Sequence, residues 1–167
     1  PSPLTAFKGI QKLAPGCRLV ASATGGVRVE RWWLAKPRPL DPVPGIREAE
    51  EHLLYLYRDA VKRQMISDVP LGAFLSGGLD SAAVLRAMTA VAPPHVNAFT
   101  IGFDEPTFDE SPQAAQIARR YGAKHYVSLI PPATADLLPA LVAHAEEPLA
   151  DNSMIPVYVL AEFARRH

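Results

Sequence analysis

The spacing of apolar positions changes between Met65 and Val69, and this change predicts the order of the secondary structure. From Ile46 to Met65, apolar side chains recur every three or four residues, as in an amphipathic helix. After Val69, short apolar runs alternate with helical patterns. The predicted strands are Val69–Leu75, Val96–Phe103 and His125–Leu129, and the predicted helices are Ser81–Ala90, Ser111–Tyr121, Thr134–Ala145 and Pro156–Arg166. This alternation predicts an α/β fold, a parallel sheet with helices on both faces.

The residues before Ile46 follow a different pattern. Arg18–Ala21 and Val27–Glu30 flank a Gly-Gly pair and are predicted to form a β-hairpin. A stiff, extended linker is predicted next, because each proline fixes φ and disfavours helix at the residue before it. These prolines are Pro37, Pro39, Pro42 and Pro44. We therefore divide the chain into a short β segment over residues 1–36, a proline-rich linker over 37–45 and an α/β domain over 46–167.

Composition and charge narrow the range of partners. Lys plus Arg and Asp plus Glu both number 17, so the zero net charge favours neither nucleic acid nor an anionic membrane as a partner. No run approaches the roughly 20 apolar residues that a membrane-spanning helix needs. The single cysteine, Cys17, cannot form an internal disulfide, which favours a reducing cytoplasm. We expect a cytoplasmic protein whose partners are small molecules.

The segment Ser76–Ser81, with the sequence SGGLDS, carries the candidate chemistry. It joins a predicted strand to a predicted helix, where a doubly wound sheet binds its ligands. Gly77 and Gly78 allow a tight turn and close approach to an anion, and the amides that open the next helix favour negative charge. Asp80 would repel a bare phosphate, which indicates a Mg²⁺ ion between this carboxylate and a pyrophosphate. The plainer alternative is a glycine turn that only begins a helix.

These residues resemble the SGGxDS signature of the ATP pyrophosphatase (PP-loop) group. No Lys follows the glycines, which argues against the phosphate loop of kinases and GTPases. Within the PP-loop group, further segments resemble the glutamine-hydrolysing asparagine synthetase family. These segments are Phe7–Ile10, Leu13–Gly16, Arg31–Trp33, Ser67–Leu75, Ala98–Phe103, Phe108–Ser111, Glu146–Pro148 and Asp151–Pro156. The resemblance implies an adenine nucleotide alpha hydrolase-like fold, preceded over residues 1–36 by the last strands of a glutaminase domain.

The resemblance also implies a reaction and its reactants. Members of this family combine aspartate with MgATP to form a β-aspartyl-AMP and pyrophosphate, and ammonia from glutamine then displaces AMP. ATP and Mg²⁺ are therefore the implied cofactors. The implied substrates are ATP, aspartate or a related carboxylate, and ammonia.

The resemblance assigns roles to individual residues of this sequence. Nucleotide binding is implied for Phe74, Leu75, Ser76, Gly77, Gly78, Leu79, Asp80, Ser81 and Ile101. Of these, Phe74, Leu75 and Ile101 would line the adenine pocket. Asp80 and Asp151 would contact the metal. Glu147 would be catalytic, because a carboxylate near the adenylate can assist proton transfer from the attacking ammonia.

Plainer structural roles remain open for several acidic residues. Glu146 and Glu147 stand at a predicted helix end and are alternatively solvated surface residues. Asp151 is alternatively the N-cap of the final helix. Asp109 and Glu110 are expected to cap the helix that begins at Ser111 rather than to touch substrate.

The two ends of the chain depart from the family pattern. The family's glutaminase nucleophile is an N-terminal Cys, whereas Pro1 stands first here, and the family's SGEGxDE loop does not occur before His167. We expect a central fragment that binds nucleotide weakly and catalyses nothing measurable alone. Its incomplete sheet would expose an edge that favours pairing, so a homodimer is one assembly open to it.

The sequence leaves more than one function open. The leading hypothesis is asparagine synthase (glutamine-hydrolysing), an ATP-dependent, AMP-forming carbon–nitrogen ligase. A related amidotransferase or β-lactam synthetase-like enzyme, which adenylates another carboxylate, fits the same segments. A nucleotide-binding module without turnover is the alternative from another class, and the intact Ser76, Asp80 and Ser81 weigh against it.

Overall fold

Two compact units make up the chain, Pro1–Pro44 and Gly45–His167. The computed structural model describes residues 2–91, 95–130, 134–146 and 151–167. In the first unit, strands β1 (Cys17–Ser22) and β2 (Gly26–Arg31) pair antiparallel, which confirms the predicted hairpin. Gly26 takes a φ of 69° at the turn, a conformation that glycine adopts without strain. Residues 32–45 form neither helix nor strand.

The second unit alternates strands with helices around a parallel sheet. Its strands are β3 (Gly72–Phe74), β4 (Asn97–Gly102) and β5 (Lys124–Leu129), and their order in the sheet is β3-β4-β5. Its helices are α1 (Ile46–Gln64), α2 (Leu79–Val91), α3 (Ser111–Tyr121), α4 (Leu138–Ala145) and α5 (Met154–Arg165), with a 3₁₀ turn at Thr134–Leu137. Among the described residues, none of these helices is long and apolar enough to cross a lipid bilayer.

The two faces of this sheet are covered by different helices. Successive strand residues point to opposite faces, so Ala98 and Phe99 of β4 lie on different sides. Ala98 belongs to the main apolar core, together with residues of β3, α2 and α3. Phe99 stacks on Tyr126 of β5 and meets Phe163 of α5 edge to face, with a centroid distance of 5.9 Å. The predicted α/β class, a parallel sheet with helices on both faces, is therefore confirmed.

Prolines account for the main differences from the predicted elements. Strand β3 has three residues instead of the predicted run from Val69, because Pro70 has no N–H for the ladder. The predicted helix over Thr134–Ala145 is divided into a 3₁₀ turn and α4, with Pro139 in the first turn of α4. Proline is tolerated in a first turn, where its missing N–H would have no intrahelical partner.

A buried threonine connects all three strands. Thr100 of β4 is 2% exposed, and its hydroxyl donates a hydrogen bond of 2.7 Å to the carbonyl oxygen of Leu75, just after β3. The same oxygen lies 2.7 Å from Nε2 of His125 in β5. A hydroxyl has one hydrogen to donate, so Nε2 of His125 must carry the proton in this contact. Burial lowers the pKa of His125, which favours the neutral ring, here with its hydrogen on Nε2.

We expect Thr100→Val to destabilise the second unit. Valine has nearly the same shape but leaves the Leu75 carbonyl and the His125 N–H without their partner. The expected loss is about 1–3 kcal/mol in the free energy of unfolding, measured by urea denaturation followed by circular dichroism. Thr89→Val is the matched control, because the Thr89 hydroxyl only bonds the carbonyl of Arg86 within the same helix. Equal losses in the two variants would contradict this role of Thr100.

Candidate functional site

The loop over residues 76–78 is closed by the hydroxyls of two serines. Oγ of Ser76 and Oγ of Ser81 lie 2.8 Å apart, and the backbone N–H of Ser76 donates to Oγ of Ser81 at 3.1 Å. The N–H of Gly78 donates to Oγ of Ser76 at 3.2 Å. Both hydroxyls thus hold the turn between β3 and the first turn of α2, where helix geometry leaves N–H groups without intrahelical partners.

The two glycines of the loop allow neighbouring atoms to approach the loop backbone closely; they do not adopt a left-handed conformation. Neither Gly77 nor Gly78 belongs to the glycines with positive φ. A Cβ atom on Gly77 would lie 3.0 Å from Cβ of Gln113 and 3.4 Å from Cβ of Glu110, both at the start of α3. A Cβ atom on Gly78 would lie 3.2 Å from Oγ of Ser76. The loop therefore lies tightly against α3.

Glu110 makes a contact with the loop that the sequence did not indicate. It occupies the N-cap position of α3, but its side chain makes no capping hydrogen bond. Its carboxylate oxygen Oε2 instead accepts the N–H of Gly77 at 2.9 Å. Glu110 therefore has the expected N-cap position, but its side chain does not cap α3, because the carboxylate accepts the loop amide instead.

Asp109 has the capping role that was expected of it. Its carboxylate accepts the N–H of Ser111 at 3.1 Å and the hydroxyl of Ser111 at 3.0 Å. Hydrogen bonds from the backbone and then the hydroxyl of Ser111 lower the pKa of Asp109. This carboxylate is thus occupied in holding the start of α3.

A cavity of about 350 Å³ opens beside the loop. Its lining residues come from the ends of β3 and β4, the loop, the segment before α3, and α5: Phe74, Leu75, Ser76, Ser81, Thr100, Ile101, Phe103, Phe108, Glu110 and Leu160. The structure thus brings together the sequence-predicted residues Phe74, Leu75, Ser76, Ser81 and Ile101. Phe108 and Glu110 are additions; the position of their segment after the neighbouring parallel strand could have indicated them.

The other predicted nucleotide-binding residues lie between the two lining serines in the sequence. Gly77 and Gly78 form the loop, and Leu79 and Asp80 open α2. Leu79 is 85% exposed. The Asp80 side chain is exposed, and it has no hydrogen bond or ion pair within the part of the chain that the structure describes. This carboxylate is therefore accessible to a cation.

Of the two remaining predicted site residues, Glu147 falls outside the described residues and Asp151 lies just before α5. Asp151 is exposed, and its Oδ1 accepts the N–H of Ser153 at 2.9 Å. The hydroxyl and the backbone N–H of Ser153 lower the pKa of Asp151. The N-cap of α5 is Ser153, so the alternative role of Asp151 as that N-cap is wrong.

A preformed metal site is not evident in the described ranges. There, no group of three or more His, Cys, Asp and Glu side chains could hold a metal ion. A cation at Asp80 would consequently need further oxygen ligands from a bound molecule.

Curated relatives cover nearly the whole chain. Asparagine synthetase (glutamine-hydrolyzing) 1 of Bacillus subtilis is 31% identical over 172 residues, which are 100% of this chain and 26% of that protein. A putative asparagine synthetase (glutamine-hydrolyzing) of Mycobacterium tuberculosis is 32% identical over 176 residues, with the same two shares. Amidase chyE of Penicillium rubens is 30% identical and covers 95% of this chain. The chain spans about a quarter of the length of these relatives.

One solved structure also resembles the chain. The glutamine-dependent NAD⁺ synthetase from Acinetobacter baumannii, in complex with ADP, matches with a TM-score of 0.45 and 21% identity, over 89% of this chain and 28% of that one. A similarity this low carries no information on the ligand.

A protein-family model matches more than half of the chain and identifies its family. The model described as asparagine synthase matches residues 52–167, from helix α1 through the SGGLDS loop to the end of α5. This match includes all the strands of the parallel sheet and every residue that lines the cavity. The chain therefore belongs to the asparagine synthase family.

Proposed function

We propose that this chain is the nucleotide-binding part of a glutamine-hydrolysing asparagine synthase. The enzyme would use ATP to adenylate aspartate, with release of pyrophosphate, and would then form the amide with ammonia from glutamine, with release of AMP. The observation that carries the proposal is the cavity itself. It joins both serines of the SGGLDS loop to apolar side chains at the carboxyl ends of adjacent parallel strands.

The loop would hold the phosphate end of the nucleotide. The N–H of Gly77 already donates to a carboxylate oxygen at 2.9 Å. An anionic oxygen of a ligand could therefore accept a hydrogen bond from the same N–H. The first turn of α2 follows directly, and its free N–H groups and dipole favour negative charge. These features support pyrophosphate binding by residues 76–81.

The apolar side of the cavity would hold the adenine ring. Phe74, Leu75 and Ile101 line it, and a volume of about 350 Å³ is within the range of small-molecule sites. Leu75 and Ile101 are buried residues of the strand ends, so this part of the pocket is preformed. Phe108, in the segment between β4 and α3, adds an exposed aromatic ring to the lining.

Asp80 and Asp151 would be the Mg²⁺ contacts. Within the described residues, the exposed carboxylate of Asp80 has no partner, and beside a loop that binds an anion it would repel a phosphate group without an intervening cation. Mg²⁺ usually takes one or two carboxylates and completes its ligands with phosphate oxygens and water. When bound, the ion would neutralise charge on the departing pyrophosphate. Glu147 would assist proton transfer from the attacking ammonia.

The proposal extends to the organisation of the longer protein. Residues 1–36 would be the last strands of a glutaminase domain, residues 37–45 the linker, and residues 46–167 the first part of the synthetase domain. The location would be the cytoplasm. An enzyme that adenylates another carboxylate is the second candidate, since not every matched relative is named as an asparagine synthetase and one is named as an amidase.

Asp80→Asn tests the proposed metal contact. We expect the chain to bind ATP more tightly with Mg²⁺ than with EDTA, and Asp80→Asn to reduce affinity for MgATP about tenfold while leaving metal-free binding unchanged or stronger. Isothermal titration calorimetry measures both constants. Asp68→Asn is the control. Asp68 is also exposed, but it precedes β3, whereas the loop follows β3. An unchanged Mg²⁺ dependence in Asp80→Asn would rule out the contact.

An assay of AMP formation tests the reaction. We expect a protein that carries this sequence at the length of its relatives to release AMP and pyrophosphate when aspartate is supplied with MgATP and glutamine. Glutamate and other carboxylates are compared at the same concentration. A preference for one of them would favour the second candidate. We expect no measurable turnover from residues 1–167 alone, and aspartate-dependent pyrophosphate release by this chain would contradict that.

A further inference from the structure

We propose that the Glu110 carboxylate is an internal competitor for the phosphate-binding loop. It occupies the N–H of Gly77 when the site is empty and must release it when a phosphate group binds. This inference rests on the proposed role of the loop. It makes Glu110 a residue that sets the affinity of the site for phosphate.

The hydrogen bonding of Glu110 is directed at the loop. The contact between Oε2 and the N–H of Gly77 joins residues 33 positions apart, so tertiary structure alone brings them together. In the described part of the chain, this is the carboxylate's only hydrogen bond. A bond to an ionised acceptor is roughly twice as strong as a neutral one, so the carboxylate is a strong occupant of this amide.

Competition follows because the amide has one proton. A phosphate oxygen that accepts the N–H of Gly77 would take the position that Oε2 of Glu110 holds now. Two anionic oxygens at that place would also repel each other strongly. Glu110 is the one charged residue among the described residues of the cavity lining, and none of these is a cation that could offset the repulsion.

Solvent beside Glu110 leaves room for the displaced side chain. Glu110 is an exposed residue, whereas Gly77 is half-buried against Gln113. The carboxylate can therefore turn into water by side-chain rotation while the loop keeps its contacts with α3. Binding would then require a change of rotamer, with no rearrangement of the backbone.

Glu110→Gln tests the competition with inorganic pyrophosphate in EDTA as the probe. Glutamine keeps the shape and removes the charge, so we expect pyrophosphate to bind about tenfold more tightly than to the wild type. Glu110→Asp keeps the charge but shortens the reach to Gly77, and we expect a smaller gain. Glu105→Gln is the matched control; it removes the same charge from the same segment, and within the described residues the Glu105 carboxylate bonds only Thr107. We expect its affinity to stay within about twofold of the wild type.

The amide resonance of Gly77 gives a second readout. In ¹⁵N–¹H spectra, we expect the amide proton of Gly77 to move upfield in Glu110→Gln but not in Glu105→Gln, as the charge-assisted bond is lost. Equal or weaker pyrophosphate binding by Glu110→Gln would overturn the competition and, where the wild type binds, leave the proposed function intact. Unchanged binding in EDTA together with weaker binding in Mg²⁺ would also overturn it, by making Glu110 a metal contact instead of a competitor. If neither the wild type nor any folded variant binds pyrophosphate, both proposals fail.

Discussion

The hydrogen bond from the hydroxyl of Thr100 to the carbonyl of Leu75 fixes the point at which β3 ends and the loop begins. The N–H of Leu75 still belongs to the ladder, since it donates to the carbonyl of Phe99 at 2.8 Å. Its carbonyl, by contrast, lies beyond the last paired residue of β3, Phe74. A buried backbone carbonyl needs a partner, and a side chain from the neighbouring strand supplies it. The loop consequently starts from a rigid point in the core.

From that point the loop is shaped by contacts with its neighbours. The two serine hydroxyls bind each other and the loop backbone, so their first function in the free protein is to hold the turn. The amide of Gly77 is different, because it donates to a side chain of another element. A Cβ atom at Gly77 would lie 3.0 Å from Cβ of Gln113, so a side chain there would require this neighbour to give way. The glycine therefore serves the packing of the loop on α3, in addition to the ligand access that we propose for it.

Much of the architecture could be predicted because it depends on local pattern. The hairpin around the Gly-Gly pair and the alternation of strands and helices follow from periodicity and turn residues, and the loop was recognisable from SGGLDS. Prolines shifted element boundaries, as the short β3 shows. Glu110 was misinterpreted because an acidic residue before a helix usually caps it. Its actual partner is distant in sequence, and only the packing of α3 against the loop reveals it.

If the loop binds a nucleotide as we propose, the charges around it would favour one form of that nucleotide over another. Asp80 opens α2 and Glu110 lies on Gly77, whereas the positive end of one helix offers only about half a charge. No Lys stands in the SGGLDS segment to offset a triphosphate, as one does in the phosphate loop of kinases. A free triphosphate would thus meet net repulsion, whereas a metal-complexed one brings its own positive charge. Asp80 and Glu110 would therefore weaken the binding of a bare anion more than the binding of its magnesium complex. In this way the two carboxylates would share one electrostatic function, selection for the magnesium complex.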